Sequence, residues 1–132
     1  MESRIIRELD YRLTVPTSYA FLIRMLGAEE IERIVVVLSS YVLDGTLQSY
    51  GLLKHRPSLL AAAAVYVARR TAGLHGWTPA LASYTTYDVE EVKPVAEAVL
   101  AEKRCSGTSQ LSVDKKYSSE VYRPASHVNL CL

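Results

Sequence analysis

Leu53-Lys54-His55-Arg56-Pro57-Ser58-Leu59-Leu60-Ala61-Ala62-Ala63-Ala64-Val65-Tyr66-Val67-Ala68-Arg69-Arg70 is the stretch that decides the fold. From Leu59 to Ala68 the Tyr66 hydroxyl is the sole polar side-chain group. Pro57 suits the first turn of a helix, where its missing N–H costs nothing. A helix that is apolar on every side must be enclosed by other helices or by lipid. This run falls short of the roughly 20 apolar residues that cross a bilayer. It is therefore predicted to be the centre of a helical bundle, its alanines letting neighbouring backbones approach.

Upstream of this stretch, Ile31, Ile34, Val35, Leu38, Tyr41 and Val42 follow the 3.6-residue period, with Val36, Val37 and Leu43 broadening the stripe. The β-branched run also suits a strand. Its length and the acidic start at Glu29, Glu30 and Glu32 favour a helix. Gly45 is expected to weaken or end it. Leu47, Tyr50, Leu52 and Leu53 then lead into the central helix. Earlier still, Pro16-Thr17 punctuates the chain, and Thr17 is the predicted N-cap of a helix over Tyr19–Leu26 that ends at Gly27. Its apolar face is Phe21, Leu22, Met25 and Leu26. Ile5, Ile6, Leu9 and Leu13 recur at helical spacing and read as the tail of a helix running into an extended link, Asp10–Val15.

Downstream, Gly73 and Gly76 close the central helix. Thr78-Pro79 restarts the chain as cap and first helical residue, with Leu81 and Tyr84 as one apolar face. Asp88 and Glu91 have the spacing of a capping box. Val92, Val95, Val99 and Leu100 face the core from a last long helix, which Pro94 is expected to kink or to start. Cys105–Gln110 is small and polar and reads as a loop. Leu111, Val113, Tyr117, Val121 and Tyr122 suggest a short structured segment packed on the bundle, and Pro124 onward a frayed tail. The expectation is an all-α fold: a compact bundle of about five helices around the alanine-rich one. It divides into a helix stub and link (1–15), a helical domain (16–104) and a tail partly packed on the bundle (105–132).

The 132 residues fit one domain, and a hydrophobic content of 49% supports a core. A net charge of +1 leaves no electrostatic footprint for nucleic acid or an anionic membrane. Arg4, Arg7, Glu8 and Asp10 interrupt any signal-peptide pattern, so an intracellular protein is expected. Cys105 and Cys131 are expected to be free thiols. With His55, His75 and His127 they form no metal-ligand spacing, so neither metal nor cofactor is expected.

Other chemistry is sparse. No glycine-rich phosphate loop is present. Glu90 and Glu91 suit a helix N-terminus and Arg69-Arg70 a solvated C-terminus. Lys115-Lys116 is too short to be a recognition patch. Cys105 has a cation beside it at Arg104 but no base, so no catalytic constellation can be assembled and no enzyme activity is expected. Trp77 and the nine tyrosines are read as packing residues rather than base-stacking ones, and Ser118-Ser119 as a weak phosphorylation candidate.

Several of these segments, in order, resemble the C-terminal cyclin fold of mitotic (A/B-type) cyclins. Leu9-Asp10-Tyr11-Arg12-Leu13-Thr14-Val15-Pro16-Thr17 looks like the link between the two cyclin folds, and Tyr19–Leu26 like the first helix of the second. Arg56-Pro57-Ser58-Leu59 with Ala61–Ala64 looks like its alanine-rich central helix. Trp77-Thr78-Pro79 with Tyr84-Thr85-Thr86-Tyr87 looks like the short helix and turn that follow, and Lys115-Lys116-Tyr117-Ser118-Ser119 like the family's tail. The similarity covers residues 5–125. Gly45 and Pro94 depart from the family pattern. Arg56-Pro57-Ser58-Leu59 also fits an R-x-x-L degradation signal, but its place at the mouth of a buried helix argues against that use.

The resemblance implies a regulatory, non-catalytic domain in cell-cycle control. It would activate a cyclin-dependent kinase when joined to an N-terminal cyclin fold, which supplies most kinase contacts and is expected to be missing here. Localisation in nucleus and cytoplasm is implied too. Ile5, Ile6, Leu9 and Leu13 become the candidate inter-fold interface, and self-association through this stub is expected where nothing covers it. The alternatives are a self-standing cyclin-like helical adaptor and a nucleic-acid-binding domain of the transcription-factor type, the latter disfavoured by the near-neutral charge.

Overall fold

The computed structural model describes residues 1–28, 31–105 and 111–118. The chain runs through α1 (Glu2–Glu8), α2 (Ser18–Leu26), α3 (Arg33–Thr46), a 3-10 segment (Tyr50–Lys54), α4 (Pro57–Thr71), α5 (Pro79–Thr85), α6 (Val89–Cys105) and α7 (Leu111–Tyr117). No strand occurs among the described residues, and none of their helices is long and apolar enough to cross a membrane. The five expected helices are α2 to α6. The stub forms α1, and the downstream segment forms α7.

Helix α4 is the axis. Every residue from Leu60 to Ala68 is buried, and Ala61–Ala64, Val65, Val67 and Ala68 have no solvent exposure. Its most extensive contacts are with α3, α6 and α2, which surround it. An alanine presents only a Cβ, so three helices can approach one at close range. The main core joins α4 to Leu22 and Met25 of α2, Val42 and Leu43 of α3, Leu81 of α5, and Val92, Val95, Val99 and Leu100 of α6. A second cluster sits beyond Ala68: Val35, Leu38 and Tyr41 of α3 pack there with Val113 and Tyr117 of α7.

The helix starts follow local chemistry. Thr17 Oγ1 accepts a hydrogen bond from the Ala20 N–H at 3.4 Å, and Thr78 Oγ1 one from the Leu81 N–H at 3.2 Å. The Asp88 N–H donates to Glu91 Oε2 at 3.1 Å, the return bond of a capping box. Pro57 and Pro79 occupy first-turn positions. Gly73 leaves α4 with φ +77°, a conformation that favours glycine.

Several expectations need correcting. Helix α3 begins at Arg33 behind Glu32 as N-cap, while Glu29 and Glu30 lie outside the described residues. Gly45 does not end α3. It is buried within the last turn, which closes at Thr46, and lines a small gap with Leu52 of the 3-10 segment and Val99 of α6. Of the apolar residues between α3 and α4 only Leu52 is buried. Of the two alternatives at Pro94, a helix start is excluded, because α6 runs from Val89 to Cys105 through it. Pro94 and Glu90, whose carbonyl loses its helical donor, are both exposed, so that carbonyl is open to solvent. Cys105 belongs to α6 rather than to a loop.

The link also differs at its start from the expected extended conformation. Helix α1 ends at Glu8, and Asp10 and Tyr11 take left-handed backbone conformations (φ 52° and 58°). The Tyr11 N–H closes this turn on the Ile6 carbonyl at 3.0 Å. Leu13 therefore lies past the turn, off the stripe that the helical spacing assigned it. Residues 106–110, Val121, Tyr122 and the tail from Pro124 fall outside the described residues.

Candidate protein-interaction site

Helix α1 buries no residue. Ile5 is 53% exposed, Leu9 50% and Leu13 60%, while Ile6 is half-buried. Met1, Arg4, Ile5, Glu8 and Leu9 line an open, largely apolar concavity of about 470 Å³. Ile5 and Leu9 are four residues apart and share a helix face. Exposed Tyr11 and Val15 extend the apolar surface along the link. This region offers an open hydrophobic area edged by the charges of Arg4 and Glu8, which suits a protein surface rather than a small ligand.

A second concavity lies between α2, the start of α4 and the end of α5. Phe21 and Met25 form its apolar wall, Arg24 its charged edge, and Ser58, Tyr84 and Tyr87 its hydroxyl-bearing side. Ser58 Oγ and the Tyr87 hydroxyl are 2.8 Å apart and share one hydrogen bond.

A third feature joins α7 to α3. The Tyr41 hydroxyl donates to Asp114 Oδ1 at 2.6 Å, and the Tyr117 hydroxyl to Asp44 Oδ2 at 2.9 Å. Lys116 Nζ lies 2.6 Å from the same Asp44 oxygen. The two tyrosine rings are tilted at 59°, their centres 5.2 Å apart. Burial, with the Asp114 carboxylate, holds Tyr41 protonated well above the usual phenol range. Burial and the Asp44 bond push the Tyr117 phenol up to about 12. The Lys116 ammonium is held above its usual range by the Asp44 hydrogen bond. This is a structural clasp: its acids and hydroxyls are consumed by one another.

The remaining sequence candidates are dispersed. Among the described residues no group of acid, histidine and cysteine side chains is arranged to hold a metal ion. Arg69 Nε donates to the His75 carbonyl at 2.8 Å, so Arg69 braces the turn after α4. The Trp77 indole donates to the Tyr87 carbonyl at 3.0 Å, a packing role. Glu90 and Glu91 are exposed in the first turn of α6. Cys105 is exposed, Ser118 Oγ donates to the Lys115 carbonyl, and Arg56 and Leu59 flank the start of α4. His55 is half-buried and His75 exposed, while His127, Cys131 and Ser119 lie outside the described residues. Sequence reasoning missed Lys103. The spacing Val92, Val95, Val99, Lys103 along one face of α6 was the available signal that this lysine turns inward.

Among protein families, the chain matches the cyclin C-terminal domain over residues 16–129. The chain belongs to this family. It is similar to the putative cyclin-B3-1 of Arabidopsis thaliana, at 35% identity over 114 residues, covering 86% of this chain and 29% of that protein. It is similar also to cyclin-A2-3 of Arabidopsis thaliana, at 32% identity over 131 residues, covering 93% of this chain and 29% of the relative. The G2/mitotic-specific cyclin-B3 of Gallus gallus is 31% identical over 125 residues, covering 92% of this chain and 30% of the relative. The chain spans about three-tenths of the length of these relatives. This cyclin C-terminal domain begins its family match at Pro16, immediately before the Thr17 cap of α2, so α1 and the link precede the matched region.

Proposed function

We propose that the chain acts as the regulatory, non-catalytic second fold of a mitotic cyclin in the control of cell division. Its partner is a cyclin-dependent kinase, engaged together with an N-terminal cyclin fold that packs on the α1 stub. The observation that carries this reading is the solvent-facing apolar stripe on α1 and its cap, with Ile5 and Leu9 about half exposed, set just ahead of a cyclin C-terminal domain. Similarity to both A- and B-type cyclins supports the cell-cycle assignment. On this reading Ile5, Ile6, Leu9 and Leu13 contact the first fold, the protein works in nucleus and cytoplasm, and the isolated chain self-associates through the same residues.

The test is reconstitution. The N-terminal cyclin fold of a B-type relative is expressed with a cyclin-dependent kinase, with or without this chain, and phosphate transfer to a protein substrate is measured. The chain is expected to co-purify with the first fold and to raise the activity of the assembly. Replacing Ile5 and Leu9 with Ser is expected to abolish co-purification. Equal activity with and without the chain would overturn the reading.

A further inference from the structure

We infer that the concavity between α2, α4 and α5 is a docking site for an acidic–aromatic peptide segment of a partner protein: one large apolar side chain held against Phe21 and Met25, and a neighbouring carboxylate held by Arg24. The site is separate from the α1 stub, and the inference stands whether or not α1 meets a cyclin fold.

Its construction is more elaborate than the bundle requires. Tyr87 is held by two backbone bonds and one through its hydroxyl. Its carbonyl accepts from the Trp77 indole at 3.0 Å, its N–H donates to Thr85 Oγ1 at 3.3 Å, and its hydroxyl pairs with Ser58 at 2.8 Å. Thr85 Oγ1 is itself tied to the Leu81 carbonyl at 2.7 Å. The chain reaches Tyr87 only by placing Thr86 in the left-handed region (φ 62°), an unfavourable conformation for a β-branched residue. These bonds hold a large aromatic ring with one side packed on the core and the other lining the concavity. A wall locked in this way is pre-organised: a ligand need not order it.

The chemistry of the lining selects the occupant. Ser58 and Tyr87 carry two hydroxyl protons and share one hydrogen bond, so one proton is left to donate. Arg24 is exposed at the edge, and no acidic side chain among the described residues pairs with it. Among the described residues no acid lines the concavity, and its available donors are Arg24, the Tyr84 hydroxyl and the proton left over by the Ser58–Tyr87 pair, while Thr85 is committed to the Leu81 carbonyl. That set matches a carboxylate and rejects a cation. The apolar wall of Phe21 and Met25 calls for a large side chain beside the acid. The volume is about 290 Å³. That is at the low end of small-molecule sites, which run roughly 300–1,000 Å³ and enclose most of their ligand. A half-open concavity of this size suits one inserted side chain with its backbone lying across the rim.

The experiment pans a phage-displayed library of random peptides against the full chain, then maps each enriched peptide by amide chemical-shift perturbation. Enrichment of peptides pairing Phe, Trp or Leu with Asp or Glu is expected, with shifts at Phe21, Met25 and Tyr87. Arg24→Gln is expected to weaken their binding about tenfold, as loss of a charge-assisted bond should. Ser58→Ala combined with Tyr87→Phe, which keeps the ring and removes both hydroxyl protons, is expected to weaken it several-fold, with the melting temperature measured alongside to confirm that the variant is folded. Enrichment of basic or purely apolar peptides, shifts confined to α1, or full affinity in both variants would overturn the proposal.

Discussion

The ammonium nitrogen of Lys103 lies 3.3 Å from the centre of the Tyr41 ring. It is buried and has no hydrogen-bond partner, so the ring face is its main compensation. Two effects compete there. Burial lowers the affinity for the proton, and the Asp114 carboxylate raises it. Burial wins, bringing Lys103 down to about 8.

Stability should therefore respond to alkaline pH in two phases. Between about pH 8 and the ordinary lysine range near 10.4 the unfolded chain binds more protons at Lys103 than the folded chain does. Stability rises with pH wherever the unfolded state is the more protonated, so the melting temperature should climb across this window. Above about pH 10 the tyrosines reverse the trend, because Tyr41 and Tyr117 stay protonated in the fold while unfolded phenols ionise. Lys103→Met should remove the rising limb, keep the falling one and raise the melting temperature near pH 7. Thermal melts from pH 7 to pH 11 read both; an unchanged rising limb in the variant would assign it elsewhere.

Gly76→Ala should destabilise the fold by about 1–3 kcal/mol, the usual cost of overpacking. A Cβ there would sit 2.5 Å from Tyr66 Cε2 and 2.8 Å from Arg70 Cγ, on the last turns of α4. Gly73→Ala meets no atom within 4 Å but must hold a positive φ, so it should cost only backbone strain of about 1 kcal/mol. Denaturant titration of the two variants tests the order.

Ala63→Leu should also cost about 1–3 kcal/mol. Ala63 has no solvent exposure and lies on a helix enclosed on all sides, so the added carbons must displace a neighbouring helix. An unchanged denaturation midpoint would place Ala63 outside the core.

Ile5→Ser, Ile6→Ser and Leu9→Ser together should improve monodispersity with little change in melting temperature. No residue of α1 is buried, so the substitutions remove sticky surface without opening a cavity. Light scattering and thermal melts decide the matter. A monomeric parent, or a large loss of melting temperature in the variant, would count against exposed-stub association.

What the sequence made legible was local. The all-round apolarity of Leu59–Ala68, the caps at Thr17 and Thr78 and the return bond at Asp88 each depend on residues within a few positions. Whether α6 would start at Pro94 or run through it was not legible, because the cost of Pro94 depends on whether water can reach the carbonyl it orphans, which only the packed bundle decides. Of the candidate site, the Ile5 and Leu9 stripe was legible from spacing, whereas Leu13 was not, because the turn at Asp10 and Tyr11 breaks the period. The Tyr41–Asp114 bond spans 73 positions and the Ser58–Tyr87 pair 29, and neither partner carries a local sign of the other.

That long span sets the order in which the chain can mature. On the ribosome, α3 emerges well before Asp114 and Tyr117, the residues its Tyr41 and Asp44 bond to. The main core can close as soon as Leu100 is free, but Val35, Leu38 and Tyr41 stay uncovered on one side until Tyr117 clears the exit tunnel. The nascent protein thus passes through a stage in which a finished bundle displays an apolar flank, and during that interval chaperones and α7 compete for the same surface.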